Sequence, residues 1–528
     1  MSSASTTYTF AAWVKRSTFP GYQYLFSSGS GGFAFLDTTS TIYVYSPAGG
    51  AQETTAVFRD PSAWYHIVFS VNSLSTTVYV NNVAVKTGAT AAALSTSTNG
   101  TSIGRYDGGG SPDYYFNGYL ADIYFIDGQA LTPSSFTETD ATTGQLIPKA
   151  YSGSYGTNGA HLEFADNSAA TATTLGKDTS GNGNNWTPNN LSVTAGAGND
   201  SLVDVPTNGA QTDTGVGGEV RGNYCVLNAL DTTATLSNGN LDVTRSAATA
   251  HLGTRATFGI TSGKWYWEAT YGAGNTAGSS AIGVALTTWA QNDYCGQTGS
   301  WSYHANGDKY LNGAAGTSYG ATYTTGDVIG IAFDADAGTI TAYKNGASQG
   351  QLVSGLTAGP YFPASSVYNA SSWTYNFGQR AFAYTAPSGF KALCTANLPA
   401  PSVTKGSSAM DVALWTGNNV NNRQITGLGF SPDLVWIKSR SSAAFHNLTD
   451  IVRGTGLIIQ SNTTSSEQNS SSHNGAVGAF NSDGFTLTQG LSLDDVNASA
   501  TTYVGWAFDG GSSTVTNTAG SISSQVRA

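Results

Sequence analysis

The chain reads as all-β, a tandem of β-sandwiches, and three observations carry that reading. Its 528 residues include 65 glycines and only two methionines, with Ser, Thr and Asn throughout, which is the composition of many short strands joined by many turns. Hydrophobic residues reach 40% and aromatic ones 12%, enough for packed cores although only 10% of the chain is charged. Short stretches in which apolar and polar residues alternate recur along the whole chain, parted by Gly- and Asn-rich turns. At this length roughly three domains are expected.

The first module occupies residues 1–150. In YTFAAWVKR the side chains of Tyr8, Phe10, Ala12 and Val14 share one face, and in AWYHIVFSVN those of Tyr65, Ile67, Phe69 and Val71 do. VYVNNVAV turns at Asn81-Asn82, and GYLADIYFIDG aligns Tyr119, Ala121, Ile123 and Phe125. Half-buried strands of this kind pack as a sandwich. The phrases Ala12-Trp13-Val14-Lys15, Trp64-Tyr65-His66-Ile67-Val68, Tyr79-Val80-Asn81, Ile103-Gly104-Arg105 and Phe116 to Asp122 resemble a laminin-G or concanavalin A-like lectin jelly roll over nearly the whole module. The resemblance implies glycan binding, in some members with calcium. Tyr106, Tyr114 and Tyr115 are the candidate ligand-binding rings here, and Asp107, Asp113 and Asp122, with Asn117, are the candidate calcium ligands.

Little chain precedes Tyr8, so the first edge strand of such a jelly roll is expected to be short or to come from elsewhere. Residues 151–200 are a candidate donor. They hold a strand-like His161-Leu162-Glu163-Phe164 and the phrase LGKDTSGNGNNWTPNN, which resembles the lead-in to lectin-like domains, and they are expected to pack back on the first sandwich. Residues 201–222, rich in Gly, Asp, Thr and Asn, read as a flexible linker.

The middle module spans 223–396. SGKWYWEA places Trp265 and Trp267 on one side of a strand and Tyr266 and Glu268 on the other. GDVIGIAFDADAGTITAYKNG gives a hairpin with Ile329, Ile331 and Phe333 on one face, a reversal at Asp336-Ala337-Gly338 and a tight turn at Asn345-Gly346. These signatures, followed by Tyr361-Phe362-Pro363-Ala364 and Asn376-Phe377-Gly378, resemble the SPRY domain in the right order, which implies a bent two-sheet sandwich that binds partners through loops. A long polar stretch from Thr287 to Gly313 carries Trp289, Tyr294, Trp301, Tyr303, His304 and Tyr310. Rings presented from polar loops stack on sugar faces while neighbouring amides bond hydroxyls, so Trp289, Tyr294, Trp301, Tyr303 and Tyr310 are ligand candidates. The competing reading is that they pin the loop to its sandwich.

The third module, 401–528, is a smaller β-rich unit. ITGLGFSPDLVWIKSR, FNSDGFTLTQG and TTYVGWAFDGG again give short strands between Gly-rich turns, and the chain ends soon after a strand-like TVTNTAGSISS, so this unit is expected to be cut short or completed by another subunit. In this order the three modules resemble C-terminal segments of tailed-bacteriophage virion proteins that combine lectin-like and SPRY-like units.

Charge and chemistry narrow the function. A net charge of −11 with no basic run disfavours nucleic acid and anionic lipid as partners. No stretch approaches the length of a membrane span, and MSSASTTYTF lacks the basic start and apolar core of an export signal. Three separate cysteines, Cys225, Cys295 and Cys394, are no disulfide framework and no zinc site. A glycosidase needs two convergent carboxylates. Glu138-Thr139-Asp140 lacks a third acid and reads as a loop, while Ser348 in GASQG follows a hairpin turn and not the strand-to-helix elbow of a nucleophile. The expectation is a non-enzymatic phage virion component, a tail fibre or other surface part, that recognises host-surface glycans. The alternatives are a structural or decoration protein that binds other virion proteins, and a glycan depolymerase whose acids, among Glu163, Asp166 and Glu268, converge only on folding. A homo-oligomer is compatible with each, although no heptad or collagen-like repeat would drive one.

Overall fold

The computed structural model describes residues 5–527 apart from 20, 37–38, 96–99, 108–112, 216–217, 248–249, 273–279, 358, 402, 512–513 and 518–523. It resolves into two compact units, residues 1–138 with 147–399, and residues 139–146 with 400–528. Every sheet pairing is antiparallel, and the helical content among the described residues is a few single 3₁₀ turns. Among the described residues no helix is long and apolar enough to cross a membrane.

The first sandwich stacks a six-stranded sheet on a five-stranded one. The larger sheet runs Ala160–Leu162, Gly118–Asp127, Tyr8–Arg16, Trp64–Asn72, Ser75–Val80, Val83–Thr90. The smaller runs Gly50–Glu53, Ile42–Ser46, Gly31–Phe35, Gln23–Ser28, Thr101–Ile103. Alternation sends Phe10, Ala12, Val14, Ile67, Phe69 and Val71 inward against Phe26, Phe33, Phe35, Ile42 and Val44. Asn81 and Asn82 take the positive φ angles, 47° and 68°, of a two-residue hairpin turn. The edge strand beside Gly118–Asp127 comes from the extension: Ile123 pairs with Leu162, and Leu162, Phe164 and Trp186 close the core. Asp178 fixes that return by accepting from the backbone N–H groups of His161, Ser180 and Asn184 at 2.8–2.9 Å.

The middle sandwich has two seven-stranded sheets. One is ordered Leu227–Thr232, Leu252–Ala256, Phe362–Val367, Ala281–Ala285, Ser300–His304, Asp308–Leu311, Thr317–Ser318. The other is ordered Thr235–Ser237, Asp242–Thr244, Ser372–Asn376, Lys264–Tyr271, Val328–Asp334, Thr339–Lys344, Ala347–Val353. Trp265 lies opposite Phe333, and Trp267 opposite Ile331, all in one core; burying each such ring or branched side chain is worth about 2–3 kcal/mol. Tyr266 and Glu268 are buried on the opposite face, where Phe382, Ala383 and Tyr384 cover them.

Residues 201–222 depart from the expected flexible linker. Leu202 and Val203 pack on the middle core, and Asp204 is buried between the sandwiches. Its carboxylate accepts from Lys15 Nζ at 2.8 Å, Trp64 Nε1 at 3.0 Å and the backbone N–H of Tyr224 at 3.3 Å. Lys15 also donates to Asn223 Oδ1 and the Tyr224 carbonyl, and Asn223 and Asn240 donate across to the carbonyls of Ser62 and Ser17. Composition signals a polar segment. What ties its first part down is a buried cation on the first sandwich that a carboxylate from the segment neutralises, and spacing along the chain does not show that pairing.

The third module packs a six-stranded sheet on a three-stranded one. The larger is ordered Met410–Thr416, Thr502–Phe508, Leu434–Ser439, Asn447–Asp450, Leu457–Gln460, Gln468–Asn469. The smaller is ordered Arg423–Thr426, Gly484–Thr488, Ala476–Asn481. Trp415, Val435, Ile437, Phe485, Leu487 and Tyr503 form its core. Strands Thr514–Asn517 and Ser524–Arg527 pair with each other as a separate hairpin.

Candidate binding site

In the five-stranded sheet of the first module the face turned away from the core is aromatic. Along Ile42–Ser46 the core takes Ile42 and Val44, so alternation leaves Tyr43 and Tyr45 outside. Tyr24, Ala34 and Tyr43 lie in one cross-strand row and pack together. Gly32 makes room for this: a Cβ there would sit 2.8 Å from the Tyr24 ring. Tyr22 enters from the turn before the strand, 5.5 Å from Tyr43 between ring centroids.

Tyr106 and Tyr114 reach the same face. Tyr106 and Asp113 exchange backbone hydrogen bonds at 2.9 and 3.1 Å, which closes the loop, and the Tyr114 carbonyl accepts the Tyr24 N–H at 3.1 Å. Tyr114 holds a left-handed φ of 54°, with its N–H bonded to the Asp113 carboxylate at 2.7 Å. Its ring meets Tyr22 edge-on at 5.4 Å, and Tyr106 lies 4.8 Å from Tyr24. Six tyrosines thus form one network. Tyr24 and Tyr43 are its floor at 5% and 6% exposure, whereas Tyr22 and Tyr114 stand open at 38% and 41%. Tyr115 is also open, at 56%.

The chemistry of the face is that of neutral phenols. Burial and the surrounding tyrosines push the Tyr24 phenol well above its ordinary value and that of Tyr43 up to about 12. At neutral pH each hydroxyl both donates and accepts. No hydrogen bond joins the hydroxyls of Tyr22, Tyr24, Tyr43, Tyr45 and Tyr106 to another described residue, and none of these oxygens is buried without a partner. Charge at the margin is already engaged: Glu53 accepts from Thr41 at 2.9 Å, and Arg105 pairs with Asp107 at 3.2 Å. Open rings above unengaged hydroxyls can stack on an apolar ligand face and bond its polar rim at once.

The candidates of the middle module part company. Trp289 is 2% exposed, packed over Gly253, and its carbonyl accepts from Arg255 at 3.0 Å. Tyr303 lies in the core with its hydroxyl on the Ala321 carbonyl. These two rings pin the loop and are not open to a ligand, and part of the stretch is strand: Ser300–His304 and Asp308–Leu311 continue the sheet. Trp301 is half-buried edge-on to Tyr361. Tyr294 and Tyr310 are half-buried around His304, a second and smaller aromatic group.

The calcium candidates do not converge. Asp107 faces Arg105, Asp113 holds the Tyr114 N–H, and Asp122 bonds His161 at 2.7 Å; among the described residues no three His, Cys, Asp or Glu side chains form a metal-binding group. The acids that would mark a depolymerase are likewise apart. Glu268 accepts from Tyr266 and from the backbone of Ala383 and Tyr384, Asp166 from Ser168, and Glu163 lies 3.5 Å from His161. All three cysteines are free and buried. Tyr22, Tyr24, Tyr43 and Tyr45 escaped the sequence reading, although tyrosine in place of a polar residue on the outer face of TIYVYS was the available signal.

Comparison with known proteins agrees with this architecture. Residues 2–135 match the concanavalin A-like lectin/glucanases superfamily, 264–380 the SPRY domain, and 405–528 a domain of unknown function, DUF7483. Similar solved structures include the SPRY domain of human HERC1 (22% identity over 27% of this chain and 91% of that one, TM-score 0.25). A human SPRY domain (21%, 28% and 96%, 0.24) and the TRIM65 PSpry domain (16%, 29% and 89%, 0.25) are others. The chain therefore carries an N-terminal concanavalin A-like domain and a central SPRY domain, two β-sandwich modules of the binding type.

Proposed function

We propose that the protein is a non-enzymatic surface component of a phage particle, a tail fibre or related part, whose first module binds host-surface glycans on the tyrosine platform. The observation that carries this reading is the continuous network of Tyr22, Tyr24, Tyr43, Tyr45, Tyr106 and Tyr114 on one sheet face, open at Tyr22 and Tyr114. Pyranose rings offer the matching surface, an apolar face of C–H groups bordered by hydroxyls. Weak binding at each platform is raised by repetition on the particle through effective concentration. The phage setting rests on the resemblance of the module order to tailed-phage virion proteins.

The test is a glycan array and a panel of bacterial envelopes probed with the multivalent full chain, with calcium and with chelator. Binding that ignores the chelator is expected. Release of reducing sugar ends from a bound polysaccharide would replace binding by depolymerisation, and silence on all surfaces at high valency would leave the structural alternative, in which the partners are other virion proteins. Labelled antibody on intact particles tests the location.

A further inference from the structure

The six-stranded sheet of the third module buries one face and leaves the other apolar. Its outer positions form cross-strand rows. One row is Val412, Trp506, Trp436, Leu448 and Ile459, each paired with the next across five strands. Met410, Phe508 and Leu434 make a second row, and Leu414 and Val504 begin a third. An outer face in a sandwich is ordinarily polar. Here Leu414 is 62% exposed and Val412 and Ile459 are each 42% exposed, while Trp436 and Trp506 meet at a tilt, 5.3 Å between ring centroids, in the middle.

We infer that this face is an interface between two copies of the chain, packed sheet on sheet about a two-fold axis. Its flatness and width fit a second sheet, since five strands of about five residues cover roughly 400 Å². That is as large as the largest apolar patch of an ordinary monomer, and about half of the ~800 Å² per partner in a stable interface, with the rest available from a polar rim. The rim is present. Thr416 and Thr502 lie at one end, and the two charges at its margin are already engaged: Lys438 donates to the carbonyls of Ser439 and Ser442, and Asp450 pairs with Arg453 at 2.6 Å.

The pattern also favours a copy of itself over a different partner. The main row reads aliphatic, Trp, Trp, aliphatic from Val412 to Leu448, so a two-fold axis through the tryptophan pair sets Trp506 against Trp436 and Val412 against Leu448. In a chain of net charge −11, a face whose acid Asp450 is already paired with Arg453 is where two copies approach at low electrostatic cost.

Sedimentation of the full chain at micromolar concentration tests this, with Leu414→Lys and Ile459→Lys as separate variants at opposite edges of the face. Both sites are exposed, so circular dichroism and melting should match the unaltered chain. The expected result is a mass of twice 54.4 kDa for the unaltered chain, falling to one chain in each variant. A single-chain mass without substitution, a three-chain mass, or a dimer that survives both lysines overturns the proposal. None of these results depends on what the tyrosine platform binds.

Discussion

Two aromatic groups in this protein grow from similar sequence, rings set among Gly, Ser and Asn, and end in opposite states. Around Trp289 and Tyr303 the polar residues belong to strands and turns that fold over the rings, so the aromatics become core. Around Tyr22, Tyr43 and Tyr114 the sheet already has a full apolar core beneath it, and the rings pack against one another on its outer side. The difference teaches that the polarity of flanking residues does not place a ring. Cover by the chain does: Trp289 lies with Ala281, Ala285 and Ala364 on the outer face of a strand whose Ile282 and Val284 fill the core, and its own loop buries it, whereas Tyr22 and Tyr114 stay open on the outer face of theirs.

Substitutions sharpen that contrast. Trp289→Ala should cost about 3–5 kcal/mol of stability by opening a cavity in the packed middle sandwich, with unchanged glycan affinity of the folded fraction, as read by chemical denaturation and binding on the same sample. Asp204→Ala belongs beside it, for Lys15 would be left charged and buried at the module junction; a loss of about 3–5 kcal/mol is expected, and independent melting of the two modules would appear in calorimetry. On the platform the balance reverses. Tyr22→Ala and Tyr114→Ala should each weaken glycan binding by about 1–2 kcal/mol and change stability by less than about 0.5 kcal/mol, because both rings are largely open. If either destabilised the fold as Trp289→Ala does, the platform would be core and the contrast would fail.

Hydroxyl deletions make a finer comparison. Tyr303→Phe removes the donor to the Ala321 carbonyl and should cost about 1 kcal/mol of stability, whereas Tyr43→Phe, whose hydroxyl bonds no other described residue, should leave stability unchanged and weaken binding. The smallest effects come with pH. With the Tyr43 phenol pushed up to about 12, this floor ring stays neutral and adds no pH dependence to the affinity on the alkaline side of physiological pH. The sheet on the other side of that sandwich responds to acid instead. Burial beside Trp13 lowers the His66 imidazole from 6.5 to about 3, so the unfolded chain takes up a proton that the folded chain refuses. This contribution is full above pH 6.5 and is lost as pH falls from there toward 3, and His66→Phe should flatten that slope in denaturation midpoints measured across the window.

Much of the architecture was legible in the sequence because period-two alternation reports faces directly. Phe10 and Val14, Trp265 and Trp267, and Ile329 and Ile331 all lie inward as their spacing indicates, and Asn81-Asn82 and Asn345-Gly346 make the tight turns that such pairs favour. The junction was not legible. Lys15 and Asp204 are far apart in sequence, and a lysine on a strand reads as solvated until a carboxylate is found over it. The candidate site was legible in part: Tyr106 and Tyr114 lie on the platform, while Trp289 and Tyr303 show that local composition cannot report whether the chain covers a ring.

The central claim is that ligand recognition resides on the tyrosine platform. Its most direct test is the dissociation constant of the strongest array glycan for three full-length proteins: the unaltered chain, the Tyr22→Ala/Tyr114→Ala double variant, and Trp301→Ala in the middle module. The account predicts that the double variant loses binding by about 10-fold or more at unchanged melting temperature, in line with two truncated anchor rings, while Trp301→Ala binds as the unaltered chain does. Unchanged affinity in the double variant together with loss in Trp301→Ala would contradict it and move recognition to the middle module.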